Sequence, residues 1–281
     1  LPDFNKNNLL EEIFTFYRFL GVTPTVLEIK RSLPAGVGFS KSDWQIIVKR
    51  LRQAPPLDGK RIGLIHRKLK KLKGRLFLFR FLPFIDFALL SGSLSLGNAN
   101  KNSDFDIILG CRTGRVFTVR FLAVGLFYLL GQARLKHYSK QESKDRFCFN
   151  HFVTPRSYQL SVPRGYYSVQ LYRHLIPLYG KRLLIERFIQ MNGWAKARLV
   201  FDSRIFLEFQ PNLAAKALEK LLAGKLGNIL EDLLKKIQLR KIKPAYYPQK
   251  KISLKSRLVL SDDELEFHIH NVRDGQFEEF G

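Results

Sequence analysis

Leu89-Leu90-Ser91-Gly92-Ser93, a spacer of ten residues, and Asp104-Phe105-Asp106-Ile107-Ile108 form the segment from which the rest of the chain can be read. Successive side chains of a strand alternate between its faces, so two carboxylates one residue apart project together. Asp104 and Asp106 can therefore share a divalent cation, and the plain alternative is two acids at a solvated strand end. The Gly-Ser pair closes the apolar run Phe84-Ile85-Asp86-Phe87-Ala88-Leu89-Leu90, which reads as a second strand. Gly92 lets backbone approach a phosphate closely, and the Ser93 hydroxyl and nearby amides can donate to phosphate oxygens. Together these features predict a site for a triphosphate and a metal.

Apolar strand, Gly-Ser, about ten residues and a strand-borne Asp-x-Asp is the pattern of the nucleotidyltransferase superfamily typified by DNA polymerase beta, and Gly92, Ser93, Asp104 and Asp106 match it. The chain also resembles a group of bacterial nucleotidyltransferase-domain proteins with a winged-helix-like segment before the core. That resemblance rests on Ser91-Gly92-Ser93-Leu94, Gly97-Asn98-Ala99, Ser103-Asp104-Phe105-Asp106, Gly114-Arg115, Lys144-Asp145-Arg146-Phe147-Cys148-Phe149-Asn150 and Pro177-Leu178-Tyr179-Gly180, over roughly residues 84–195. It implies a small mixed sheet, Mg2+ or Mn2+ on Asp104 and Asp106, and Gly92 and Ser93 against a nucleoside triphosphate. Superfamily members usually carry a third carboxylate in a later strand, and here that position offers Asn150. An amide oxygen can ligate a metal but cannot take a proton from an attacking hydroxyl. Asp145 and Glu142 precede that strand and read as turn residues, while His151 is expected to face the side opposite Asn150.

The 281 residues suffice for a substantial core, and 46% apolar content with 24 phenylalanines predicts a folded chain. Lys and Arg total 48 against 24 acids, a formal charge of +24, which favours polyanionic partners such as nucleotides, RNA or DNA and says nothing about fold. A cellular setting rich in basic proteins is the other explanation. Cys111 and Cys148, the two cysteines, read as reduced thiols in apolar strands. The opening residues lack the apolar core of a signal peptide, and the most apolar run, 119–130, is too short for a bilayer. A cytoplasmic location without a membrane span is expected.

Three regions are predicted: a winged-helix-like module over 1–66, a nucleotidyltransferase core over 67–160, and a helical region over 161–281 with a basic linker and an acidic tail. In the first, a helix from Ser40 with Asp43 reaching back carries Lys41, Lys49, Arg50 and Arg52, and Asp58-Gly59 with 60–65 reads as the turn and return strand of a wing. Such a helix lies in a DNA groove or, equally, caps the core. Residues 60–82 hold nine Lys and Arg and no acid, the makings of a phosphate-binding helix face or of a solvated connecting helix. In the core, strands over 84–90, 104–109 and 146–153 and a helix over 116–130 are predicted, with Arg115 and Arg120 available to phosphate or to interdomain pairing. Beyond 165 the spacing turns helical. Tyr166, Tyr167, Tyr172 and Tyr179 can stack on a base or pack in a core, residues 235–257 with nine basic residues read as a linker, and His268 and His270 have the alternate spacing of strand ligands.

This α/β (α+β) architecture and its site predict transfer of a nucleoside monophosphate from a nucleoside triphosphate to an acceptor hydroxyl. The rival is a catalytically weakened nucleotidyltransferase fold that binds nucleic acid; an antitoxin-like partner protein ranks behind both.

Overall fold

Among the described residues seven strands form one mixed sheet, in the order β5 (Leu207–Glu208), β4 (Ile176–Gly180), β1 (Ile85–Ser91), β2 (Phe105–Cys111), β3 (Phe147–Val153), β7 (Glu264–His268), β6 (Arg257–Leu260), and the apolar run that ends at the Gly-Ser pair is one of its interior strands. The computed structural model describes residues 39–52, 59–134, 141–161, 166–197, 199–246 and 257–268, together with Ile13, Phe16, Tyr17 and Ile29. β1 (Ile85–Ser91) is buried along its whole length, as a central strand covered on both faces must be. It runs antiparallel to β2 (Phe105–Cys111) on one side and to β4 (Ile176–Gly180) on the other. β2 pairs in parallel with β3 (Phe147–Val153). Parallel neighbours need a crossover, and here it contains α4 (Val116–Leu129), which buries Val116, Phe117, Val119, Ala123 and Phe127.

Strand alternation divides the apolar residues between two cores. Ala88, Leu90, Phe105, Ile107, Leu109, Phe147 and Phe152 join Phe127 of α4 and Leu72 of α2 (Gly59–Lys73) on one face. Phe87, Leu89, Ile108 and Val153 meet Tyr172 of α5 (Tyr166–Arg173) and Ile185 and Phe188 of α6 (Arg182–Met191) on the other. Asp106, between Phe105 and Ile107, belongs to the α5/α6 face.

The expected core strands and the helix after β2 are present within a residue or two. Differences lie on either side of them. Residues 60–65, read as the return strand of a wing, are the first turns of α2, because Ile65, Leu69, Leu72 and Leu76 continue at spacings of four and three and give the segment a helical apolar stripe against the core. α1 (Lys41–Arg52) does begin as a capping box: Ser40 N donates to Asp43 Oδ2 at 2.7 Å and Asp43 N to Ser40 Oγ at 3.2 Å. The part of the expected winged-helix-like module before Phe39 lies outside the described residues, except for Ile13, Phe16, Tyr17 and Ile29.

The C-terminal region is not purely helical. β4, the short β5 (Leu207–Glu208), β6 (Arg257–Leu260) and β7 (Glu264–His268) all extend the sheet, so the sheet draws strands from both sides of residue 160. α7 (Leu213–Leu221) precedes α8 (Lys225–Tyr246), which is a continuous helix where a linker was expected from 235 onward. Pro244 stands in its last turn, and the helix ends two residues later at Tyr246. Glu231 of α8 explains much of this docking: its carboxylate accepts from Phe117 N and Thr118 N, both at 2.8 Å, at the start of α4. Gln238, about two turns further along the same face, donates to Phe117 O at 2.8 Å. Asp262 to Glu266 of the acidic tail lie in the turn and second strand of the β6–β7 hairpin, whose β7 pairs with β3.

Candidate metal and nucleotide site

The local sequence forces the chain to turn sharply where β1 ends. Ser91 is opposite Asp106 in the β1–β2 register, and Gly92 then takes φ +74°, opening the single helical turn α3 (Gly92–Ser95). A β-carbon at Gly92 would fall 2.0 Å from Asp106 Oδ2. Glycine is thus required twice, by the left-handed backbone and by the carboxylate packed against it. Ser93 is buried beside it.

Asp104 immediately precedes β2 and Asp106 lies within it. One oxygen of each, with Cys148 Sγ, lies within 4.8 Å of the other two. Oxygens bound to one hard cation at roughly 2.0–2.6 Å stand no more than about 5 Å apart, so the pair is within reach of a shared ion. The partners of these carboxylates are specific. Arg134 Nη1 is 2.6 Å from Asp104 Oδ2 and 3.9 Å from Cys148 Sγ. Asn150 Nδ2 donates to Asp106 Oδ1 at 3.1 Å.

Asn150 reaches Asp106 because β3 is bulged. Ile107 pairs with Phe149 and Ile108 with His151, leaving Asn150 as an extra residue. The bulge cancels the expected alternation: His151 does not face away from the site side but lies on the same face as Ile108, with its Nδ1 3.4 Å from the Tyr172 hydroxyl. Its Nε2 is 3.1 Å from Glu264 Oε1, and the Tyr172 hydroxyl donates to Glu266 Oε1 at 3.4 Å. A buried polar chain from two sheet strands and α5 therefore borders the site.

The donor chemistry can be judged on Asn150 Oδ1, a buried oxygen with no hydrogen-bond partner among the described residues. Two carboxylates and an amide oxygen are hard donors of the kind that suit Mg2+ or Mn2+, and the set fits such an ion. In the metal-free site Cys148 is a thiol rather than a thiolate. Burial pushes its pKa well above the ordinary value, the charges of Asp106 and Asp104 push it further, and Arg134 only partly offsets them. Burial works against the Arg134 cation, but Asp104 outweighs it and holds the guanidinium more firmly protonated than usual.

The structure brings Gly92, Asp104, Asp106 and Asn150 together, with Ser93 one residue on. Arg134 and Cys148 were missed by sequence reasoning. Cys148 is opposite Asp106 in register and becomes visible once β2–β3 pairing is known; Arg134 has no local signal. Other expected contacts are engaged elsewhere. Arg115 Nη2 donates to Leu222 O at 2.9 Å beyond α7, and Arg120 Nη1 to Gln238 Oε1 at 2.7 Å, so both pair with the C-terminal helical segments. Lys68 and Lys71 hold Asp145, each at 2.6 Å, and Asp145 sits in a turn before β3 as expected. Tyr172 and Tyr179 are core residues; the side chains of Tyr166 and Tyr167, like His270, lie outside the described residues. Cys111 and Cys148 are free thiols.

No family model matches the chain, and no curated protein or solved structure is significantly similar to it. Among the described residues no helix is long and apolar enough to cross a membrane.

Proposed function

We propose that the protein is a metal-dependent nucleotidyltransferase that moves a nucleoside monophosphate from a nucleoside triphosphate to an acceptor hydroxyl. The observation that carries this reading is the convergence of Asp104 and Asp106 beside the Gly92 bend, with oxygens close enough for one cation. Asp104 and Asp106 would hold Mg2+ or Mn2+, with Asn150 Oδ1 as a further oxygen donor. Such an ion, when bound, neutralises triphosphate charge and favours attack at the α-phosphorus. Gly92 and Ser93, at the bend beside these carboxylates, would seat the triphosphate. In the transfer, the acceptor oxygen bonds to the α-phosphorus, the bond to the bridging oxygen breaks, and pyrophosphate leaves. Asn150 cannot accept the hydroxyl proton, which passes to solvent.

A second reading is supported by one feature of the same site. With Arg134 on Asp104 and an amide at position 150, the fold is compatible with weakened turnover and a role in holding RNA or DNA through basic surface such as Arg67, Lys70 and Lys73, which are exposed on α2. A cytoplasmic setting accords with the free thiols of either reading.

The deciding experiment incubates the full chain with each labelled nucleoside triphosphate, Mg2+ or Mn2+, and cellular RNA and protein. Label is expected in an acceptor and is expected to vanish in the Asp104→Asn/Asp106→Asn variant. Transfer undiminished in that variant would remove the proposal. Salt-sensitive nucleic-acid binding without any label transfer would favour the second reading.

A further inference from the structure

Arg134 is fixed at its backbone and extended at its tip. Its N–H donates to Phe147 O at 2.8 Å, and the preceding Ala133 bridges to the same residue of β3. Its side chain is 40% exposed, yet its guanidinium ends 2.6 Å from an Asp104 oxygen that is largely covered. A guanidinium there and a divalent cation on Asp104 and Asp106 compete for the same carboxylate. Two carboxylates balanced by one guanidinium leave a net negative charge; adding a divalent ion without moving Arg134 places two cations against one oxygen. Desolvation of Asp104 strengthens that repulsion relative to water.

Resting on the reading of Asp104 and Asp106 as cation ligands, we propose that Arg134 is a tethered competitor of the metal, which leaves Asp104 for the phosphates of an incoming nucleoside triphosphate so that metal and nucleotide bind together. A guanidinium is suited to this exchange because its planar fork pairs with carboxylate and phosphate alike. The backbone anchor on β3 keeps the side chain within reach of the site, and its exposure gives it room to move. The metal alone must displace Arg134, whereas metal with triphosphate supplies it with a new partner. By linkage, each ligand then raises the affinity of the other by the same factor. A purely structural ion pair makes a different forecast: a half-exposed pair of this kind contributes little to stability and leaves the coupling between metal and nucleotide untouched.

The test measures Mn2+ binding to the metal-free full chain by the electron paramagnetic resonance of free Mn2+, with and without a non-hydrolysable triphosphate analogue. Arg134→Gln is expected to bind Mn2+ alone on the order of tenfold more tightly than the wild type and to lose most of the enhancement by the analogue. Arg134→Lys, which keeps a charge, should stay close to the wild type with Mn2+ alone. Unchanged or weaker Mn2+ binding by Arg134→Gln, while Asp104→Asn weakens it, overturns the role given to Arg134 and leaves the cation site standing. Mn2+ binding indifferent to Asp104→Asn and Asp106→Asn overturns the cation site and this inference with it. The wild type gives an independent readout that needs no variant: melting shifts from Mn2+ and the analogue together should exceed the sum of the separate shifts, and simple additivity overturns the exchange.

Discussion

Asn150 donates to Asp106 Oδ1 at 3.1 Å while its own Oδ1, buried, accepts from no group among the described residues. The amide is thus oriented by the carboxylate and offers an unused oxygen beside it, an arrangement made possible by the single extra residue in β3. Asn150→Asp replaces that hydrogen bond with a third carboxylate charge beside Asp104 and Asp106. In metal-free protein this variant is expected to lose about 1–2 kcal/mol of stability and to recover it when Mn2+ is added. Melting curves with and without the ion provide the check, and no recovery would mean that position 150 does not face the cation.

Gly92 and Gly97 share φ +74°, but only Gly92 lies against Asp106, whereas a β-carbon at Gly97 meets open space. Gly97→Ala should therefore cost about 1–2 kcal/mol from the left-handed backbone alone. Gly92→Ala adds steric overlap with the carboxylate and should cost about 2–4 kcal/mol, together with weakened Mn2+ binding. Equal losses in the two variants by urea unfolding would show that Asp106 yields without strain.

Asp145 ties α2 to the strand-entry turn through the buried Lys68 and the more exposed Lys71. Burial raises its pKa, but hydrogen bonds from both lysines outweigh burial and leave it below the usual carboxylate value. A depressed folded-state pKa contributes stability that is present above the unfolded value of about 3.9 and lost as pH falls through the lower folded value. Asp145→Asn tolerates the local φ of +57° but strands the Lys68 charge. The expected loss at pH 7 is about 3 kcal/mol, shrinking below pH 4; a loss constant from pH 7 to pH 3 would contradict the ion-pair account.

Glu231 accepts from two main-chain donors at the start of α4 and from the Thr118 hydroxyl at 2.5 Å. Glu231→Ala leaves those buried donors unpaired, at a cost of about 3 kcal/mol, and should loosen α8 first. Hydrogen exchange at Phe117 and Thr118 would register the change, and protection retained at both amides would show that water or another group replaces the carboxylate.

The strands and helix of the core were legible because their signals are local. Residues 85–91 and 105–111 are apolar runs of strand length, and 116–129 has enough apolar residues to be buried along one side of a helix. The Gly-Ser bend and the Asp-x-Asp pair were legible for the same reason, since glycine at a turn and alternation along a strand act within a few residues. The wing failed because Asp58-Gly59 with residues 60–65 resembles a hairpin turn and strand only until Ile65 is joined to Leu69, Leu72 and Leu76 in one helical apolar stripe. The C-terminal strands failed because Ile176–Gly180 and Glu264–His268 are short and acquire strand character by pairing with β1 and β3, not from composition.

Sequence alone determined that Gly92 turns the chain and that Asp104 and Asp106 project together, because backbone sterics and strand alternation need no distant partner. Tertiary structure alone decided what those carboxylates touch. Arg134 arrives from a connection 28 residues beyond Asp106, and Asn150 arrives through a bulge whose position depends on how β3 registers with β2. Such contacts are fixed by the packing of whole elements, and a carboxylate's partners follow from that packing rather than from its neighbours in the chain.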